Sequence, residues 1–205
     1  RDLKDIFALQ DEITKEIILS MQVNQTEGEH ARIRAKGANN LNAYLKSFEA
    51  KELVTRWNIE DNHKARQLYT KALELDPNYS ISYCGLAITH IMDVWLGSTK
   101  SKKDSLFKAT ELVQKALSLD NYSGYAHRQL GSIYYQKKQY EKGILEFEKA
   151  VELEPNYADG FASLARSLDL VGRTEEAIQM SNKAMRLNPI PPDMYIIHRT
   201  AMYRN

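Results

Sequence analysis

The residue types that do chemistry are sparse in this chain and stand apart. Its five histidines lie at positions 30, 63, 90, 127 and 198, and its one cysteine is Cys84. Zinc needs three or four such ligands converging on one point. No H-x-x-x-H or Cys-x-x-Cys pair is present to begin such a site. Cys84 and His90 are six residues apart, which on a helix turns them to different faces and rules out a thiolate–imidazolium nucleophile. Glu175 and Glu176 are adjacent carboxylates, but neighbours on a helix point apart. Gly172 is isolated and lacks the glycine-rich run that cradles phosphate. The lysines around 100–103 and at 137–138 read as solvated loop tips, not a nucleic-acid track. The sequence predicts no catalytic residue, no cofactor and no metal.

The elements that hold these residues repeat. Gly124–Tyr157 and Ala158–Pro191 align without a gap at an offset of 34: Leu130 falls on Leu164, Gly131 on Ala165, Tyr134 on Leu168, Gly143 on Ala177, Ala150 on Ala184 and Pro155 on Pro189. Leu130, Gly131 and Tyr134 stand at i, i+1 and i+4 of a first helix, where the large residues fill a core and the small one admits a partner helix. Gly143, Phe147 and Ala150 face back from a second helix. Pro155 stops that helix. This pattern resembles the tetratricopeptide repeat, two antiparallel helices per unit stacked side by side. The resemblance implies an all-α, right-handed α-α superhelix that binds other proteins and has no chemistry of its own. It also makes His127, which sits where such a unit often has an aromatic, a packing residue.

Helix pairs are therefore expected near 80–95/104–119, 124–137/140–154 and 158–171/174–187. Upstream, the stretch from Glu74 to Ser80 (ELDPNYS) copies that from Glu152 to Ala158 (ELEPNYA). Ala65, Tyr69 and Ala72 form the inner face before it, and Tyr83, Leu86 and Ala87 open the unit after it. That unit is ten residues longer than the period, and the excess is placed in a loop around Leu96–Lys103. Its second helix turns Ala109, Val113 and Ala116 inward, and Asn121 stands for the usual proline. The opening helix carries Leu41, Tyr44, Leu45 and Phe48, is capped by Asn39 or Asn40, and is expected to run past Trp57. Residues 41–205 read as four units plus a half-unit from Asp193.

Residues 1–40 form a different segment. Ile6, Leu9, Ile13, Ile17 and Met21 make one apolar stripe, predicting an amphipathic helix over Leu3–Val23 and then a polar connector. RDLKDIFALQDEITKEI resembles the closing helix of a TolB-like α/β domain. NLNAYLKSF, ARQLYTKALELDPNYS and KAMRLNPIPPDMY follow in the order seen in large bacterial proteins that join such domains to a class III adenylate/guanylate cyclase or to a DNA-binding regulator. The resemblance implies a regulatory repeat region of a multidomain signalling protein, with any cyclase chemistry outside this stretch. A transcriptional regulator or a stand-alone adaptor is the alternative.

Composition fits. Lys+Arg number 28 against Asp+Glu 27, a net charge of +1, which gives no attraction to nucleic acid or a membrane surface. A single cysteine cannot form an internal disulfide and suits a reducing, cytoplasmic setting. No apolar run approaches the roughly 18 residues of a membrane span. The chain begins at Arg1, as a piece of a longer protein would. The expected partner is a protein or peptide, or another domain of the parent chain, or a second copy through the N-terminal helix.

The resemblance implies that the first helix of each repeat lines the concave face. That places Tyr125, Arg128, Ser132 and Tyr135 in one unit and Asp159, Ala162, Arg166 and Asp169 in the next. Arginine forks and tyrosine rings suit an extended acidic peptide; the competing reading pairs the two arginines with Asp159 and Asp169. The Lys and Asn pattern of the co-chaperone carboxylate clamp is missing. Ile81, Cys84, Ile88 and Ile91 are expected to form an apolar groove in the preceding unit, open to a peptide or to the N-terminal helix.

Overall fold

The computed structural model describes residues 37–188 and 191–203. Within them the helices are, in order, α1 (Leu41–Val54), α2 (Ile59–Leu75), α3 (Ser80–Trp95), α4 (Lys102–Leu119), α5 (Gly124–Gln136), α6 (Tyr140–Leu153), α7 (Ala158–Leu170), α8 (Thr174–Leu187) and α9 (Asp193–Met202). No strand occurs among the described residues. Successive helices pack as pairs (α1 with α2, α3 with α4, α5 with α6, α7 with α8), each pair stacks on the next, and α9 lies on α7 and α8. The three helix pairs expected from the 34-residue offset are found within two residues at every end. The expected helix over Leu3–Val23 and most of its connector lie outside the described residues.

Local chemistry sets the ends. Asn40 caps α1, its side chain accepting from the amides of Asn42 and Ala43. Asn58, Ser101 and Ser123 cap α2, α4 and α5 in the same way. The first helix of a pair ends on a residue in the left-handed region: Gly97 (φ 66°), Lys138 (φ 58°) and Gly172 (φ 81°) each stand two residues past the helix. Glycine takes that conformation without strain and lysine does not. Trp57, at φ 52°, plays this part after α1. The first helix therefore stops at Val54 and does not run past Trp57 as expected, because Asn58 starts a new cap there.

Small residues bring the pairs together. A Cβ at Gly131 would lie 2.6 Å from the Phe147 ring, and one at Gly85 would lie 2.2 Å from the Tyr69 ring. Ala65, Ala72, Ala109, Val113, Ala116, Ala150 and Phe147 are fully buried. Between pairs, Tyr79 and Tyr157 plug the turns just ahead of α3 and α7. Ahead of α5 that place is held by Ser123, while Tyr122, one residue earlier, is exposed. The resemblance of DNYS to DPNY is thus one residue out of register. The long unit is also distributed differently from expectation. Compared with α5 and α6, α3 (16 residues against 13) and α4 (18 against 14) take seven of the ten extra residues, and their connection takes three.

Candidate functional site

A cavity of ≈ 260 Å³ opens on the face built by the first helices. Its lining comes from α1, α3, α5, α7 and α9 or residues at their ends, and α2, α4, α6 and α8 contribute none. Stacking repeats in this way turns residues three and four apart on successive first helices toward one axis.

One end is apolar. Val54, Trp57, Ile88, Met92 and Trp95 line it, and the indoles of Trp57 and Trp95 stack with centroids 5.2 Å apart and planes 24° apart. The other end is cationic. Arg128 reaches from α5 to α7, its Nε donating to the Asp159 carbonyl (3.3 Å) and to Ser163 Oγ (3.1 Å). Arg166 on α7 lays its guanidinium over the Tyr135 ring, 4.2 Å from the centroid. Asp159 accepts from the Tyr195 hydroxyl, and Asp169 from Thr174 Oγ1 at 3.2 Å. The Asp159 charge also acts on Arg128, as the expected alternative pairing has it, while no ion pair among the described residues joins Arg166 to Asp169.

Burial shapes the titrations. It lowers the Arg166 guanidinium from its ordinary value, with Arg128 adding to the effect. It lowers His198 as well, Arg166 again assisting and Asp169 opposing. It raises the Tyr195 hydroxyl, which Asp159 pushes further.

Of the residues singled out in sequence, Tyr125, Arg128, Ser132, Asp159, Ala162 and Arg166 line the cavity. Tyr135 lies beneath Arg166 and Asp169 faces His198 electrostatically, both outside the lining. The apolar stripe on α3 needs correction. Ile88 lines the cavity, but Ile81, Cys84 and Ile91 are buried in core clusters. Helix α3 is packed by α1, α2, α4 and α5, which leaves little of its surface for a groove. Trp57, Met92, Trp95, Tyr195 and His198 were missed. Trp57 lay inside what read as helix, and the 34-residue offset puts Tyr195 and His198 on the buried Phe161 and Leu164, which marks them as core. His127 is a packing residue as expected, buried with Nδ1 2.7 Å from Glu146 Oε2.

Tetratricopeptide-repeat family models match residues 54–79, 124–157 and 146–179. The chain carries tetratricopeptide repeats. Its repeat array is similar in fold to a thermophilic TPR protein of Thermus thermophilus, with TM-score 0.67, 18% identity and coverage of 86% of this chain and 89% of that one. It is similar in fold also to Pseudomonas aeruginosa pilF, with TM-score 0.59, 19% identity and coverage of 80% and 68%. In sequence the chain is 31% identical over 130 residues to a Rhizobium meliloti protein named "Putative adenylate cyclase 3", covering 62% of this chain and 22% of that one. It is 28% identical over 151 residues to the transcriptional regulator HilA of Salmonella typhimurium, covering 74% and 27%. The mitochondrial import receptor subunit TOM70 of Rattus norvegicus is 31% identical over 90 residues, covering 44% and 13%. The matches thus span about a quarter or less of those relatives' length. A tetratricopeptide array is a binding scaffold and not a catalyst. Among the described residues no helix is long and apolar enough to cross a membrane, and no group of three His, Cys, Asp or Glu side chains could hold a metal ion.

Proposed function

We propose that this chain is the protein-interaction module of a larger bacterial signalling protein, and that its cavity takes an extended peptide or a segment of another domain of its parent. The observation that carries this reading is the cavity on the first-helix face, apolar at Trp57 and Trp95 and cationic at Arg128 and Arg166. A concave site with an apolar anchor and few polar groups suits an extended chain. Lys51, Arg128 and Arg166 outnumber Asp159 in the lining, so the favoured ligand is acidic. Likeness to a protein named as an adenylate cyclase supports a parent that makes cyclic nucleotide and is gated through this region. Likeness to a transcriptional regulator supports the second reading, in which the parent binds DNA elsewhere. The module works in the cytoplasm in either case.

Site-specific photocrosslinking tests the binding reading. A benzophenone side chain at Ser132, inside the cavity, should capture a protein partner or another domain of the parent in cells. The same group at the exposed Leu145 on α6 should not. Equal capture at both positions, or none at Ser132, would sink the proposal. The coding sequence ahead of Arg1 separates the two parents: a TolB-like domain after a cyclase domain favours the first, and a winged-helix domain the second.

A further inference from the structure

We propose that Arg166 and His198 form a carboxylate subsite within the cavity, so that the bound peptide presents an aspartate, a glutamate or its own C-terminus at this point. The inference rests on the peptide-binding reading above and deepens it.

The two arginines of the cavity differ. Arg128 is engaged, bonded to the Asp159 carbonyl and Ser163 and electrostatically paired with Asp159. Arg166 has no hydrogen bond or ion pair among the described residues, and its Nε is buried without an acceptor. Nε2 of His198, brought in by α9, is also buried without a partner. Buried polar atoms lacking a partner are costly and seldom left so. The Tyr135 ring holds the Arg166 guanidinium by its face, which leaves the N–H edge free for in-plane bonding. A carboxylate has two oxygens, enough to accept from the Arg166 edge and from His198 together. Asp169, the acidic group facing His198 from α7, takes the Thr174 hydroxyl.

The pairing carries a pH signature. His198 meets Arg166 and Asp169 from α7, and shares the cavity with Asp159, Arg128 from α5, Lys51 from α1 and Tyr195 on its own helix; α8 lends the cavity no side chain. Burial and Arg166 keep free His198 neutral near pH 7. A bound carboxylate favours its protonated form, so the complex holds more protons than the free chain, and affinity rises as pH falls.

The test uses two pools of fluorescein-labelled, C-terminally amidated decapeptides rich in leucine. One carries a single glutamate and the other glutamine in its place. By fluorescence anisotropy, the glutamate pool should bind the 205-residue chain at least tenfold more tightly, and tighter at pH 6 than at pH 8. Arg166→Gln and His198→Leu should each reduce the glutamate pool to the level of the glutamine pool, and His198→Leu should abolish the pH dependence. Arg166→Lys, which keeps the charge without the fork, should fall between and guards against a folding defect in Arg166→Gln. If the pools bind equally and Trp57→Glu weakens both, the subsite is wrong and the peptide-binding reading stands. If the glutamate preference survives both substitutions, the residues are misassigned. If neither pool binds, both readings fall.

Discussion

Arg66 on α2 and Asp93 on α3 are joined by an ion pair of 2.6 Å that ties the first helix pair to the second. The contact is a network. Asp93 Oδ1 also accepts from Asn62 Nδ2 (2.9 Å) and Ser98 Oγ (3.0 Å), and Arg66 Nη2 donates to the Thr89 carbonyl (3.0 Å). Removing the carboxylate takes the counter-charge from one cation and one acceptor from two further donors in a half-buried place, leaving them only their bonds to backbone and Thr89. Asp93→Ala should lower unfolding stability by about 2–4 kcal/mol, read from urea denaturation. Loss within 0.5 kcal/mol would mean that solvent replaces the carboxylate freely.

The left-handed residues that end the first helices give a matched pair of opposite sign. Gly172→Ala should cost about 1 kcal/mol, since it forces a Cβ into that conformation. Lys138→Gly, at the equivalent place one repeat earlier, should gain about 0.5 kcal/mol by releasing the same strain. Shifts of the urea midpoint in the same direction for both would contradict this account.

At Gly131 the close approach of α5 to α6 leaves no room for a methyl group beside Phe147. Gly131→Ala should destabilise by about 1–3 kcal/mol through overpacking. Adding Phe147→Leu should cost less in the Gly131→Ala background than alone, because the smaller side chain relieves the clash. A double-mutant cycle measures that coupling.

What the sequence revealed and what it hid follow from where periodicity reaches. Gly131 and Ala150 recur as small residues at Ala165 and Ala184, 34 residues on, and could be read directly, as could the arginines at 128 and 166, which occupy helix positions that the fold turns to one face. Three kinds of feature were hidden. Lys138 does a glycine's work, and no side-chain chemistry marks that. The stripe on α3 has the spacing of a groove, yet four neighbouring helices enclose most of it. His198 falls at the 34-residue offset on the buried Leu164, a core position, so only the packing of α9 on α7 and α8 reveals that it meets Arg166.

Acid should weaken the fold through His90. Burial first, and then Arg66, lowers its pKa to about 4, with Asp93 opposing. In the unfolded chain the imidazole titrates near 6.5. The unfolded state therefore binds more protons between these values. This stabilising contribution is complete above pH 6.5 and is lost as pH falls toward 4. Melting temperature should fall from pH 7 to pH 4.5, and His90→Gln should flatten that slope. An unchanged slope in the variant would place the sensitivity elsewhere.

The stacked indoles of Trp57 and Trp95 are the chain's two tryptophans, so its intrinsic emission originates in the first two helix pairs. Repeat arrays can lose their units separately because each touches only its neighbours. Fluorescence thus watches one end of the stack, while far-ultraviolet circular dichroism averages over every helix. Superimposable denaturation curves from the two probes would make the array a single cooperative block. An early fluorescence transition would show the Trp57–Trp95 end opening while the arginine end stays folded.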